Sequence, residues 1–272
     1  MIGLLLAGCG GPNEETLLDE LRVIAVVAEP PEVAPGATTT LTATTVDPAG
    51  VGPDVLLWTC TDLGDGCLEA AAPGFGATLA TPVDGAVVTE RAAPVELGPL
   101  VADGTTVLPV FTWALACAPG VCPVVDLAAS DPAPGTADGD TLAAWLADPI
   151  GGMADLPIEG TSLALTTLGV STRAEPLVNP TVTPRFEALA ATPEGSAQLP
   201  FTVEAGATAW GMTTAGGFDR ASYDVVDGAV TLTWIAPEEP GDVDLYVVVN
   251  GAEGGSALWR GAATVDAAAT GR

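Results

Sequence analysis

Proline and glycine recur along this chain at short intervals, 24 and 33 times, and the runs between them are rich in Val, Leu and Thr. Long helices are hard to build from such a text. Proline inside a helix removes a hydrogen bond and clashes with the preceding turn, and glycine there costs about 1 kcal/mol relative to alanine. Many short strands joined by turns suit it better. At 48% hydrophobic residues the 272-residue chain is too apolar to stay disordered. It is also long enough for one large or two ordinary domains. The expected class is all-β.

Periodicity locates the strands. Residues 21–29 (LRVIAVVAE) read as a first strand, stopped by Pro30-Pro31. Pro35-Gly36 turns the chain into residues 38–46, where Leu41 and Ala43 face one side and Thr40, Thr42 and Thr44 the other. Leu56, Trp58 and Cys60 share a face of the next strand. The second half repeats the scheme loosely. Pro193-Glu194-Gly195 leads into an alternating strand with Leu199, Phe201 and Val203, then a strand bearing Trp210 and Met212. Residues 230–234, the alternating Val243, Leu245, Val247 and Val249, and residues 257–265 follow. Trp58, Trp210 and Trp234 are expected in the core, with Trp145 and Trp259 nearer the surface. The expectation is two Ig-like β-sandwich modules in tandem, 21–172 and 181–268, with a linker over 173–180. The first carries a long irregular insertion between Cys67 and Thr161, with a strand candidate at 107–117 and a short helix at 140–146 capped by Asp140.

Charge narrows the chemistry. The chain has 35 acidic residues against seven arginines, with no lysine and no histidine, for a formal net charge of −28. Such a chain repels phosphate backbones, which argues against nucleic acid as a partner. Without histidine there is no Ser-His-Asp or Cys-His catalysis and no histidine-ligated zinc. Without lysine there is no Schiff base and no phosphate-loop lysine. Carboxylate and cysteine chemistry remain.

Near the start, Leu6-Ala7-Gly8-Cys9 resembles the bacterial lipobox, in which small residues before a cysteine allow lipidation of its thiol and cleavage before it. This makes Cys9 the expected lipidation site. Residues 1–9 read as the remnant of a lipoprotein signal peptide, and 10–20 as a polar tether. Two or three acyl chains, at about 0.8 kcal/mol per buried methylene, would anchor the protein to a membrane. Four cysteines remain: Cys60, Cys67, Cys117 and Cys122. An even number in an exported chain points to two disulfides, with three connectivities open. The local pairs Cys60–Cys67 and Cys117–Cys122 are preferred here. Zinc bound by four cysteines fits poorly, because six residues separate Cys60 from Cys67.

A family resemblance rests on two stretches. Trp234-Ile235-Ala236-Pro237-Glu238-Glu239-Pro240-Gly241 resembles the E–F corner of bacterial Ig-like and PKD-like surface modules, which read W-x-A-P-x-x-P-G before an alternating strand and an N/D-G turn, here Asn250-Gly251. Residues 21–43, with A-E-P-P-E-V-A-P-G, resemble the opening of such a module, particularly in surface lipoproteins of high-GC, myxobacteria-like bacteria. The resemblance implies the fold and a cell-envelope location, either periplasmic or surface-facing on the outer membrane. It implies no chemistry. No corresponding corner is evident in the first half.

Other candidate sites are weak. Asp131, Asp138 and Asp140 form an acidic loop lacking the EF-hand spacing and its closing glutamate. Asp62 and Asp65 read as turn residues. Gly74-Phe75-Gly76 opens like a dinucleotide fingerprint, but Leu79 stands where the third glycine belongs. Nothing singles out a glycosidase-like carboxylate pair. The function expected is a non-catalytic cell-envelope lipoprotein serving as spacer, adhesion or assembly module, without catalytic residues, metal or cofactor. The alternative is a glycan- or Ca²⁺-binding module of the envelope, and the expected partners are a membrane through Cys9 and a protein or glycan of the envelope.

Overall fold

A computed structural model describes residues 13–60, 78–119 and 162–266. The chain divides into two compact units. One comprises Glu20–Pro180 with Val248–Leu258; the other comprises Thr181–Val247, the chain from Trp259 on, and the N-terminal residues up to Asp19.

The N-terminal unit contains β1 (Arg22–Glu29), β2 (Glu32–Val33), β3 (Thr38–Val46), β4 (Asp54–Cys60), β5 (Thr78–Ala80), β6 (Ala86–Ala92), β7 (Val107–Cys117) and β8 (Ser162–Ser171). They form two sheets, ordered β1-β3-β6 and β2-β8-β7-β4-β5. Pro30 and Pro31 break the opening strand, since proline cannot continue a ladder on both sides. The chain then crosses to the other sheet, where β2 runs parallel to β8, Glu32 opposite Gly169 and Val33 opposite Val170. The alternation of β3 is as expected: Leu41 and Ala43 are fully buried, and Thr40, Thr42 and Thr44 are half-exposed. Val23, Val26, Ala43, Val55, Leu57, Val87, Ala114 and Ala116 form one cluster of the core. Ala28, Val33, Leu41, Val110, Leu168 and Val170 belong to a second.

In β4 the core cluster takes Val55 and Leu57, while Leu56 has the opposite phase; the side chain of Trp58 lies outside what is described. That opposite face is closed to solvent too, because Leu56, Trp113 and Leu115 are all buried. Strands buried on both sides give a continuous apolar run, from which a two-residue period cannot choose the core side. Furthermore, the stretch assigned to the insertion supplies framework strands as far as Cys117. β6 pairs with β3 from Thr38↔Ala92 to Thr44↔Ala86, and β7 pairs with both β4 and β8. Residues 120–161, with the expected helix at 140–146, lie outside the described residues.

The C-terminal unit contains β9 (Thr183–Pro184), β10 (Ala190–Ala191), β11 (Ser196–Thr202), β12 (Thr208–Thr213), β13 (Gly217–Phe218), β14 (Ser222–Asp224), β15 (Ala229–Ile235), and β16 (Gly241–Asn250) and β17 (Ser256–Val265) apart from their ends within Val248–Leu258. Its sheets are ordered β13-β15-β11-β9 and β10-β17-β16-β12-β14. Strand for strand this repeats the N-terminal unit, including a short parallel strand, β10, beside the last one. β13 is the one addition among the described residues. The protein is therefore all-β, with two Ig-like sandwiches in tandem.

The repetition reaches the turns. Val83-Asp84-Gly85-Ala86-Val87 and Val226-Asp227-Gly228-Ala229-Val230 are the same five residues at the same place in each module. Asp84 and Gly85 have φ of 53° and 77°, Asp227 and Gly228 of 50° and 74°, as a two-residue type I′ hairpin requires. The turn glycines make the same contact as well: Gly85 accepts a hydrogen bond from Thr45 N–H and Gly228 from Val203 N–H, just beyond the equivalent points of β3 and β11. The corner missing from the first half is also present. Ala93-Pro94 follows β6 as Ala236-Pro237 follows β15, but a 3-10 helix (Val95–Leu100) replaces the short Pro-Gly turn and hides the pattern.

In the C-terminal core Leu199, Phe201, Leu232, Trp234, Leu245 and Val247 are fully buried, as the alternation implies. Trp210 is not. Ala209, Gly211 and Thr213 point inward from β12, leaving Trp210 and Met212 half-exposed. The Phe218 ring occupies the space a larger inward residue would need, since a Cβ on Gly211 would come within 2.7 Å of it. Trp259, expected nearer the surface, is half-exposed like Trp210, but with one side of its ring covered. Its ring packs edge-on against Phe186 and Phe201, with centroids 5.5 and 5.1 Å away.

Candidate functional site

Three places gather polar groups. The first is a buried ion pair in the N-terminal unit. β2 and the end of β8 bring Glu32, Ser171 and Arg173 together, and the Glu32 side chain has no exposed surface. Its carboxylate accepts hydrogen bonds from Ser171 Oγ, from Arg173 Nε at 2.9 Å, from a second Arg173 nitrogen and from the Leu177 N–H at 3.0 Å. Burial alone would raise its pKa. The Arg173 guanidinium, the Ser171 hydroxyl and the Leu177 N–H outweigh that and hold the carboxyl below its ordinary value. Four donors from the chain itself saturate this carboxylate, leaving no lone pair for a substrate or metal. Its work is to fasten the stretch after β8, the expected linker 173–180, to β2.

The second place is the entry of the chain. Of the stretch 10–20 expected as a tether, the described part is hydrogen-bonded to the C-terminal unit. Asn13 N–H donates to Phe218 O and Leu18 N–H to Thr213 O, both at 2.8 Å, while Thr16 Oγ1 accepts from Phe218 N–H at 2.9 Å. Leu17 forms a parallel bridge with Thr213. Thr16 and Leu18 are 2% and 1% exposed, so this segment is part of the module. Leu17 and Leu18 were the available signal: two adjacent apolar residues are costly in a solvated tether.

The third is an open depression of about 390 Å³ lined by Arg220, Tyr223, Asp224 and Val226 among others. Tyr223 is only 7% exposed, its hydroxyl donates to Asp219, and Arg220 lies over its ring. Burial and the bond to Asp219 push the phenol pKa up, so it stays neutral. It offers no free face for stacking a sugar.

The expected site residues are scattered. Cys9, Cys67 and Cys122 lie outside the described residues, as do Asp62, Asp65, Asp131, Asp138, Asp140, Trp145 and the Gly74-Phe75-Gly76 motif. Cys117 ends β7, buried and disulfide-bonded. Cys60 ends β4. The ladder pairs Cys60 with Phe111 and Asp54 with Cys117, which puts the two cysteines at opposite ends of it. Six residues of strand span about 20 Å, far beyond the roughly 7 Å limit between bridged Cα atoms. A Cys60–Cys117 bond is therefore excluded, which leaves two of the three connectivities. Among the described residues no group of three or more His, Cys, Asp or Glu could hold a metal ion, and no helix is long and apolar enough to cross a membrane.

The strand order defines the class, a tandem Ig-like sandwich protein. No protein-family model and no curated protein matches the sequence. Solved structures similar to the chain include the D0–D1 domain of intimin, at 10% identity over 89% of this chain and 98% of that one, with a TM-score of 0.25. Fibronectin(III)-like modules of Clostridium thermocellum CbhA match at 11% identity over 93% and 97%, with a TM-score of 0.29. The Yersinia pseudotuberculosis adhesin InvE matches at 12% identity over 95% and 61%, with a TM-score of 0.25. None of these carries a residue, ligand or activity over to this chain.

Proposed function

We propose that the chain is a cell-envelope lipoprotein, anchored through Cys9, whose two Ig-like modules serve as a non-catalytic spacer, adhesion or assembly surface. The observation that carries this reading is the saturation of the Glu32 carboxylate by Ser171, Arg173 and Leu177. The most buried charge among the described residues serves to hold strands, as in a structural module. The lipobox-like Leu6-Ala7-Gly8-Cys9 supports the anchor. A net charge of −28 disfavours anionic lipid as a direct ligand, so membrane attachment falls to acyl chains and not to the protein surface. The remaining cysteines, paired as Cys60–Cys67 and Cys117–Cys122, suit an oxidising compartment outside the cytoplasm.

The test is metabolic labelling with a fatty-acid analogue, using the native upstream codons and comparing wild type with Cys9→Ser. Label in the wild type alone is expected, and equal label in both would sink the anchor. Cross-linking in native envelopes then identifies the protein or glycan that the modules meet.

A further inference from the structure

Residues 13–18, which precede the first module in sequence, belong to the other module. Asn13 and Leu18 are tied by backbone hydrogen bonds to Phe218 and Thr213, and the Thr16 hydroxyl takes the Phe218 N–H. We infer that residues 13–18 are a clasp that hands the Cys9 anchor to the C-terminal sandwich, so that the module last in sequence is the one held at the lipid surface. This rests on the reading that Cys9 is lipidated.

Chain length decides the matter. Three residues separate Cys9 from Asn13, so their Cα atoms, four steps apart, lie at most about 14 Å from each other. A free tether running to residue 21 would span about 43 Å and would fix neither module. The clasp is a built contact. Leu18 is 1% exposed, and the Thr16 hydroxyl accepts a hydrogen bond from the Phe218 N–H in a buried setting. It is also directional, because Asn13 enters beside Phe218 and the chain then passes Thr213, the last residue of β12. The end of β12 at Thr213 should therefore lie nearer the bilayer than the Glu204-Ala205-Gly206 turn before it.

The experiment separates this from lipidation itself. The chain from Gly10 on, with hexahistidine in place of residues 1–9, is tethered to neutral vesicles through a nickel-chelating lipid. A fluorophore is placed on Arg220→Cys, two residues beyond Phe218, or on Ala205→Cys, and singly labelled protein is used with a nitroxide on the lipid headgroups. As β12 spans about 20 Å, quenching at position 220 should exceed that at 205 about twofold. Thr16→Val and Leu18→Asp, in variants whose circular dichroism is unchanged, should abolish the difference. Equal quenching at both positions with the clasp intact would overturn the proposal. Failure of Cys9 labelling in cells would overturn the anchor and leave this measurement standing.

Discussion

Glu194 stands in the C-terminal module where Gly36 stands in the N-terminal one. Both follow a proline in the turn entering the second framework strand, and their φ angles are 56° and 79°. Each turn is locked to the corner after the fifth framework strand, Gly36 N–H to Ala93 O at 2.8 Å and Glu194 N–H to Pro237 O at 3.2 Å. An L side chain in this left-handed region costs about 1–2 kcal/mol, partly offset by the smaller chain entropy of a non-glycine residue.

The two positions should respond in opposite directions. Glu194→Gly is expected to stabilise its module by up to about 1 kcal/mol, read as a higher urea midpoint. Gly36→Ala should destabilise the other by about 2 kcal/mol, read as a lower midpoint, because a Cβ there would also lie 2.9 Å from Val95 Cγ1. A loss at Glu194→Gly would mean that its side chain does something beyond filling the turn.

A second prediction concerns acid. The folded pKa of Glu32 lies below its ordinary value of 4.5, so its contribution is complete above about pH 4.5 and is lost as pH falls through the folded value. Glu32→Gln takes from Arg173 its hydrogen-bonded carboxylate and leaves it only the weaker charge interaction with Glu253. It should destabilise the N-terminal unit at pH 7 by about 2–4 kcal/mol, less than for a wholly buried pair because Arg173 is partly exposed. Urea melts of the variant should also show a flatter dependence on pH below 4.5. A parallel downward shift at every pH would show that packing, not charge, is what Glu32 supplies.

Tryptophan substitutions rank the C-terminal core. Trp234 is fully buried and its Nε1–H donates to Ala215 O at 3.2 Å, so Trp234→Ala should cost about 3–5 kcal/mol. Trp259→Ala loses two edge-on ring contacts and should cost about 2–3 kcal/mol. Trp210→Ala, half-exposed on β12, should cost about 1 kcal/mol. Denaturant midpoints that put Trp210 first would mean that the inward face of β12 has been misassigned.

The all-β class, the duplication and most of the core were legible, because alternation at Leu41 and Ala43, or at Leu199, Phe201 and Val203, reports burial directly. Phase is ambiguous where both faces are apolar, as at Val55, Leu56 and Leu57, and it failed where size misled, as at Trp210, whose inward neighbours are small to admit Phe218. The repeated Val-Asp-Gly-Ala-Val was in plain view and ties the halves together more firmly than the tryptophan spacing did. Leu17 and Leu18 marked the clasp as packed, but its partner was not legible, since nothing in residues 13–18 specifies one some 200 positions away. As for chemistry, Glu32 could not be told from any other carboxylate, because its partners Ser171 and Arg173 are distant in sequence.

Disulfide mapping should recover no Cys60–Cys117 peptide, given the ladder that separates them. The expected products are Cys60–Cys67 and Cys117–Cys122. Recovery of Cys60–Cys122 with Cys67–Cys117 would overturn that pairing while respecting the ladder.

The clasp also sets an order of events. Residues 13–18 are synthesised well before their partners at Thr213 and Phe218, which arrive some 200 residues later. Until then this short segment lacks its partner strands, while the strands of the N-terminal sandwich are already complete by Ser171. The C-terminal sandwich is complete only once residues 13–18 have joined it. Loop closure grows only logarithmically with length, so the penalty is modest once the intervening domain is compact. The C-terminal sandwich is thus a discontinuous domain, built from residues 13–18 and from strands that follow a whole domain later in the sequence.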